Sequence, residues 1–442
     1  MREIARRRGG MLTMRVLYVD NSRGMMGGSL VSLLQLSRAL VEQSRSVPAA
    51  ERIEPCFYFL YPNLFDGEFR DIGEVVLERE DYTDFGIPEG LPKALGRILS
   101  TWPSRIQKAL GEVLPLALRV AHHARRMKVD MIHTNCRLGS NEYAILGGLL
   151  AGIPVLCHER LVYKLTPLTK VFAKAAGHVI AVSRAVADNL EKQGVSPHRL
   201  SVLYNGINTS ELARYRGGEK APNSPFRIGL VGRITYDKGQ HILVEAARRL
   251  IAQGLDAEFH FAGESLPSET EYLEALLATV QDAELEARVV FHGNVKTIYE
   301  FMSNMDILVH CSLKPFGLDR VIQEAMALGK PLIATRGGAV EEICEDGVNA
   351  LVVDPGRPDL LAESIARLLH EPQMARHLAR NALSTIETRF SLARAATGVR
   401  AIYKEVHARA ARRPIVDAFL DLLSNNPLSR RRVKASHRRL GD

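Results

Sequence analysis

Cysteine, tryptophan and closely spaced aspartates are scarce in this chain, and each shortage removes a class of protein. The 442 residues hold five cysteines, Cys56, Cys136, Cys157, Cys311 and Cys344, with no C-x-x-C pair. An odd count without that spacing argues against a disulfide framework or a zinc ribbon and points to a reducing cytosol. Tryptophan occurs once, at Trp102. No two aspartates stand at D-x-D spacing, so a dedicated metal clamp for a diphosphate is not expected. No long apolar run is present either. The most apolar stretch, Tyr143 to Cys157, is too short to span a bilayer, and Gly147, Gly148, Gly152 and Pro154 divide it into a helix end, a turn and a strand. The opening MREIARRRGGMLTMRVLYVD has arginines but no apolar core, so no signal peptide is expected.

Hydrophobic residues make up 46% of the chain, ample for two cores at this length. The net charge of +8 is unevenly spread. Residues 1–15 carry five arginines against one glutamate, and residues 400–442 carry eleven Lys or Arg against four acids. The basic excess therefore lies at the two ends. No aromatic stacking platform or zinc finger accompanies them, so nucleic acid is not an expected partner. An anionic membrane surface is a candidate partner, with a plain solvated tail as the simpler alternative.

Strands alternate with helices from Arg15 onward: strands near Val16–Val19, Cys56–Leu60, Met131–His133, Pro154–Cys157 and Val179–Val182, with helices such as Gly28 to Val41 and one capped by Ser183. This pattern predicts an α/β fold of parallel sheets covered on both faces. A basic extension (1–13), a first Rossmann-like domain (14–208), a linker (209–225) and a second such domain (226–388) follow. A C-terminal helix (389–414) is expected to cross back to the first domain before a basic tail (415–442). Residues 86–128 depart from the alternation, with four prolines and leucines beside basic pairs. They read as core packing or as a partly apolar insertion facing a lipid surface.

Two strand-to-helix turns in the second half carry site chemistry. After Phe226–Val231 come Gly232-Arg233 and Tyr236-Asp237-Lys238-Gly239, then a helix from Gln240. Arg233 offers a planar fork of donors and Lys238 a point charge, a pairing suited to a diphosphate. After the strand ending at His310 comes Pro315-Phe316-Gly317, then Leu318, Asp319 and a helix over Val321–Leu328. Glycine there permits backbone N–H groups to face an anion at the helix N-terminus. Glu324, one turn in, is placed to accept from ribose hydroxyls. In the first half, Gly27-Gly28 allows close backbone approach to a phosphate or acceptor, although no G-x-G-x-x-G fingerprint occurs there. His158 closes a strand at the edge where parallel sheets bind ligands.

VGRITYDKGQHILVEAARRL and PFGLDRVIQEAMALGKPLIATRGGAVEEI resemble the sugar-nucleotide half of the retaining glycosyltransferases of family four. The likeness continues through Asp346–Val353 and reaches back to Gly27–Leu30 and Asn205–Ile207, covering most of residues 14–400. It implies the GT-B fold, two Rossmann-like domains facing an interdomain cleft, with donor in the second domain and acceptor in the first. It implies transfer of a hexose, with retention, from a nucleoside-diphosphate sugar to a saccharide or lipid-linked acceptor in cell-envelope or exopolysaccharide synthesis, with no cofactor and no metal. A cytoplasmic location, peripheral on the inner membrane face, is the matching expectation. By the same likeness Gly27, Gly28, Arg233, Lys238, Phe316, Gly317, Leu318 and Glu324 bind donor, and His158 is a catalytic or sugar-contacting residue. The chain departs from the family at the acidic turn. Lys314 stands where a glutamate is usual, the turn reads as two residues longer, and Asp319 is the candidate replacement carboxylate. That departure keeps two alternatives open: a non-catalytic sugar-nucleotide-binding scaffold, or a GT-B epimerase acting on the donor.

Overall fold

The structure, a computed structural model, describes residues 13–22, 27–79, 108–217, 225–265, 269–314 and 317–412. The basic extension, Trp102, most of the proline-rich stretch, Pro315, Phe316 and the C-terminal tail lie outside the described residues. The chain divides into two compact units, one comprising residues 1–182, 186–203 and 396–442, the other 183–185 and 204–395.

The first unit is built on seven parallel strands: β1 (Met14–Asp20), β2 (Ile53–Phe59), β3 (Glu74–Leu77), β4 (Met131–Asn135), β5 (Val155–Glu159), β6 (His178–Ala181) and β7 (Leu200–Val202). Their order is β3-β2-β1-β4-β5-β6-β7. The second unit holds six: β8 (Phe226–Val231), β9 (Ala257–Ala262), β10 (Val289–Phe291), β11 (Ile307–His310), β12 (Leu332–Thr335) and β13 (Leu351–Val353). Their order, β10-β9-β8-β11-β12-β13, repeats the same plan. In both sheets the order reverses beside the first strand, between β1 and β4 and between β8 and β11. Crevices at such reversals, at the carboxyl ends of the strands, are where open parallel sheets bind ligands.

The strands are apolar on both faces because helices cover both. Val16, Leu17, Tyr18 and Val19 are fully buried in β1, and Phe259 and Phe261 of β9 pack with Ile228, Leu230, Leu243 and Leu250 in the core of the second unit. The apolar stretch after Tyr143 folds as expected: a helix over Glu142–Ala151, Gly152 in the left-handed conformation at φ 74°, then β5. In the irregular region the helix Leu114–Arg126 buries Leu116 and Val120 and leaves Leu118 exposed, so core packing accounts for most of its apolar face.

The described part of the segment expected as a linker, residues 209–217, begins with helical turns, and the residues just before it are packed. Ile207 is buried and exchanges backbone hydrogen bonds with Phe390 and Leu392, while Asn208 caps a short helix, Thr209–Leu212. The apolar Ile207 and Leu212 draw this stretch into the second unit despite its polar composition. The helix Leu392–Arg412 is continuous, and from Ala396 onward it belongs to the first unit.

Candidate functional site

In the second unit, the loops that follow β8 and β11 are pinned together. Leu313 N donates to Asp237 O at 2.8 Å, and Thr335 Oγ1 donates to Ser312 O at 2.7 Å. Gly239, at φ 71°, ends the 3-10 turn Tyr236–Lys238 and starts the helix Gln240–Ala252. A Cβ there would stand 2.2 Å from Cys311 O. Glycine is thus required twice, for its dihedral and for the close approach.

This packing brings Lys238, His310, Ser312 and Asp319 into one cluster. Lys238 Nζ lies 2.9 Å from Asp319 Oδ2 and 3.4 Å from Ser312 Oγ. His310 Nε2 lies 2.8 Å from the same carboxylate oxygen and 3.0 Å from Ser312 Oγ. Burial raises the Asp319 carboxyl, but the Lys238 charge and the His310 contact outweigh it and hold the group below the usual carboxylate range. Asp319 is also the N-cap position of the helix Arg320–Ala327, yet its side chain turns to Lys238 and makes no cap bond. Its Oδ2 is therefore already committed, leaving Oδ1 for any ligand.

Arg233 is exposed, and its guanidinium makes no hydrogen bond or ion pair with described residues; its carbonyl accepts from Gln240 Nε2 at 2.8 Å. Glu324 is buried and receives both Arg320 Nε (3.2 Å) and Nη2 (3.0 Å) on Oε1. The expected ribose carboxylate thus has one oxygen committed to an arginine one helical turn away. Leu318 is buried and Gly317 lies in the turn before the helix; Phe316 lies outside the described residues.

In the first unit, Gly27 caps the helix Gly28–Arg45, its carbonyl accepting from Leu30 and Val31. No acid stands in that helix's first turn, which leaves its positive end uncompensated. At the ends of β1, β4 and β5, Arg160 Nη2 donates to Asn135 Oδ1 at 2.7 Å and Asn135 Nδ2 donates to Asp20 Oδ2 at 2.7 Å. Asp20 Oδ1 in turn accepts from Ser22 N at 2.7 Å. Glu159, fully buried, accepts from Leu138 N, Arg160 N, Leu161 N and Tyr163 Oη at 2.9–3.1 Å. His158 sits in this group at 3% exposure, and neither ring nitrogen has a hydrogen-bond partner. Burial and the nearby Arg160 hold its imidazole neutral, far below the usual histidine range.

Sequence reading located Arg233, Lys238, Asp319 and His158 but missed His310, Ser312, Arg320 and the Asp20–Asn135–Arg160 chain. Isolated histidines, serines and asparagines at strand ends carry no spacing signal; only the sheet register shows that Asp20 and Asn135 stand side by side. Among the described residues no group of three or more His, Cys, Asp or Glu is arranged to hold a metal ion, and no helix is long and apolar enough to cross a membrane.

Comparisons with known proteins bear on this arrangement. Residues 213–385 match the family described as glycosyl transferases group 1, and residues 75–211 match glycosyltransferase family 4. An alpha-D-kanosaminyltransferase from Streptomyces kanamyceticus is 32% identical over 53% of this chain and 61% of its own length. A lipopolysaccharide core mannosyltransferase from Rhizobium leguminosarum is 27% identical over 73% of this chain and 86% of its own. The chain spans about three fifths or less of the length of the first curated relatives it matches. Among solved structures, HepE of Anabaena in complex with UDP superposes with a TM-score of 0.70 at 24% identity, over 89% of this chain and 100% of that one. A glycosyltransferase from Rickettsia africae gives 0.72 at 19%, over 89% and 98%. Paired six- and seven-stranded parallel sheets, cationic strand ends and two adjoining family matches agree: this chain belongs to the group 1, family four glycosyltransferases and has their GT-B fold.

Proposed function

We propose that the protein transfers a hexosyl group, with retention, from a nucleoside-diphosphate sugar to a saccharide or lipid-linked acceptor during synthesis of a cell-envelope or extracellular glycan. The observation that carries this reading is the placement of Arg233 and Lys238 after β8, at the reversal point of the second sheet, with Lys238 Nζ 2.9 Å from Asp319 at the N-terminus of the helix Arg320–Ala327. Two cations and a helix N-terminus suit a diphosphate, and they neutralise the charge that grows on it as it leaves. The relatives' names, a kanosaminyltransferase, a core mannosyltransferase and a capsular polysaccharide glycosyltransferase, support a glycan product. Glu324 Oε2 is proposed for the ribose, Gly27 and Gly28 for close backbone approach, and His158 for a sugar hydroxyl.

The direct test is release of free nucleoside diphosphate from a panel of sugar nucleotides with and without acceptor. Release only with acceptor supports transfer. Release without acceptor, or conversion of the sugar alone, contradicts it and favours an epimerase, and no reaction under any pairing favours the scaffold. Arg233→Ala and Lys238→Ala should each weaken UDP binding by about 1.5–3 kcal/mol, the range for hydrogen bonds to charged groups. Unchanged calorimetric affinity in both variants removes the diphosphate site.

Because Asp319 draws on Lys238, Asp319→Asn should tighten UDP binding by lifting a negative charge from beside the diphosphate. Weaker binding in that variant would show that the carboxylate orients the lysine. With side-chain cations in place of a metal, EDTA should leave turnover intact; a loss restored by Mg²⁺ would contradict the metal-independent reading. The basic ends fit an anionic membrane near a lipid-linked acceptor. Deleting residues 427–442 should then weaken co-sedimentation with phosphatidylserine vesicles at low salt, each surface-proximal charge contributing about 1 kcal/mol.

A further inference from the structure

A line of buried hydroxyl and imidazole groups in the first unit has no part in the roles assigned above. Tyr18 of β1 and His133 of β4 are register partners, and Tyr403 of the helix Leu392–Arg412 lies over them. The Tyr403 hydroxyl is 2.5 Å from His133 Nδ1 and 2.9 Å from the Tyr18 hydroxyl. Tyr18, His133 and Tyr403 are buried to 1% exposure or less. Beyond His133 lies the His158 ring, 5.4 Å between centroids at 32°. His133 Nε2 and both nitrogens of His158 are buried without hydrogen-bond partners.

Three ring nitrogens left open in one place are unusual, because a buried polar group without a partner costs roughly 1–3 kcal/mol. The open nitrogens of His158 suit a ligand, whereas His133 is two residues deeper in its strand and fully enclosed. A neutral imidazole carries its proton on one nitrogen, and the hydrogen bond at the other decides which. Tyr403 supplies that bond to His133. The His133 ring, fixed in plane and tautomer, forms one wall against which His158 packs.

We infer that Tyr403 and His133 are positioning residues for His158: the C-terminal helix, through Tyr403 and the His133 ring, sets the ring orientation that His158 presents at the end of β5. The neutral His158 ring so held offers one N–H and one lone pair, which matches a hydroxylated, uncharged part of a ligand better than an anion. The inference rests on the reading of His158 as a sugar contact. It explains why a helix more than two hundred residues distant in sequence from β4 is folded against this sheet through a tyrosine hydroxyl and not only through apolar contacts.

The test uses the full chain labelled with ¹⁵N in its histidine rings, whose nitrogen shifts report tautomer. Tyr403→Phe deletes the hydroxyl and keeps the ring. It should turn His133 from one tautomer to a mixture and shift the His158 ring nitrogens with it. With the most active sugar nucleotide from the donor panel, turnover should fall while KM stays the same. Should that variant not fold, Tyr18→Phe, which frees the far side of the Tyr403 hydroxyl, carries the same readout. If His133 responds and His158 does not, the inference is overturned even where transfer is confirmed. If both respond in a protein that uses no sugar nucleotide, the positioning stands and the transfer reading falls.

Discussion

Acidification from pH 7.5 to 5.0 is expected to cost the first unit about 2 kcal/mol of stability through His133 alone, with His158 and His178 adding in the same direction. Burial, reinforced by the Arg160 charge, lowers His133 from the ordinary 6.5 to about 3 and moves His158 well below its usual range. Both are therefore neutral in the fold and protonated in the unfolded chain below pH 6.5. The unfolded state binds the extra protons, so stability is full above pH 6.5 and falls as pH drops toward the folded values. At about 1.4 kcal/mol per pH unit, His133 contributes roughly 2 kcal/mol over this interval, and His158 acts in the same direction. Glu159 works in the opposite sense, because burial raises its carboxyl despite the four hydrogen bonds it accepts. Urea unfolding of wild type and His133→Gln at both pH values separates the terms. The gap between the two proteins should change by about 2 kcal/mol with pH. A pH-independent gap would show that His133 takes up its proton in the fold just as it does in the unfolded chain.

Gly239→Ala should be the most damaging single change near the proposed diphosphate site, lowering stability of the second unit by about 2–5 kcal/mol. A left-handed dihedral costs a non-glycine residue roughly 1–2 kcal/mol, and overpacking adds about 1–3. Here the added carbon meets the Cys311 carbonyl, which is backbone and cannot rotate aside. Relief requires the β8 and β11 loops to separate, so Lys238 should also lose its place beside Asp319 and Ser312, and UDP affinity should fall with stability. Gly356→Ala is the control: the same dihedral, φ 72°, with nothing within 4 Å of the new Cβ. It should show only the dihedral penalty. Equal denaturation midpoints for the two variants would mean that the approach to Cys311 is not tight in solution.

The order of strands and helices was legible in the sequence because burial on both sheet faces leaves short apolar runs bounded by Gly, Pro and polar turns. β1, β4, β5, β8 and β11 all fall where those runs predict them, to within two residues at their ends. Residue type and turn chemistry likewise pointed to Arg233, Lys238 and Gly317 as an anion site. At the start of the expected linker the polar composition is less telling: Ile207, its partners near Phe390 and the Asn208 cap join this stretch to the second unit.

What the sequence determined by itself is the fold class and the two-domain plan, since periodicity and turn residues are local properties carried by neighbouring positions, and, through the resemblance of its motifs, the family. What only the tertiary structure decided is which charges and rings meet. Lys238 and Asp319 are joined across 81 residues, and His133 and Tyr403 across 270. Such contacts depend on sheet register and on the path of a returning helix, and no spacing along the chain encodes either. The physical reason is that a hydrogen bond is fixed by distances of about 3 Å, whereas sequence patterning specifies only which face of each element is buried.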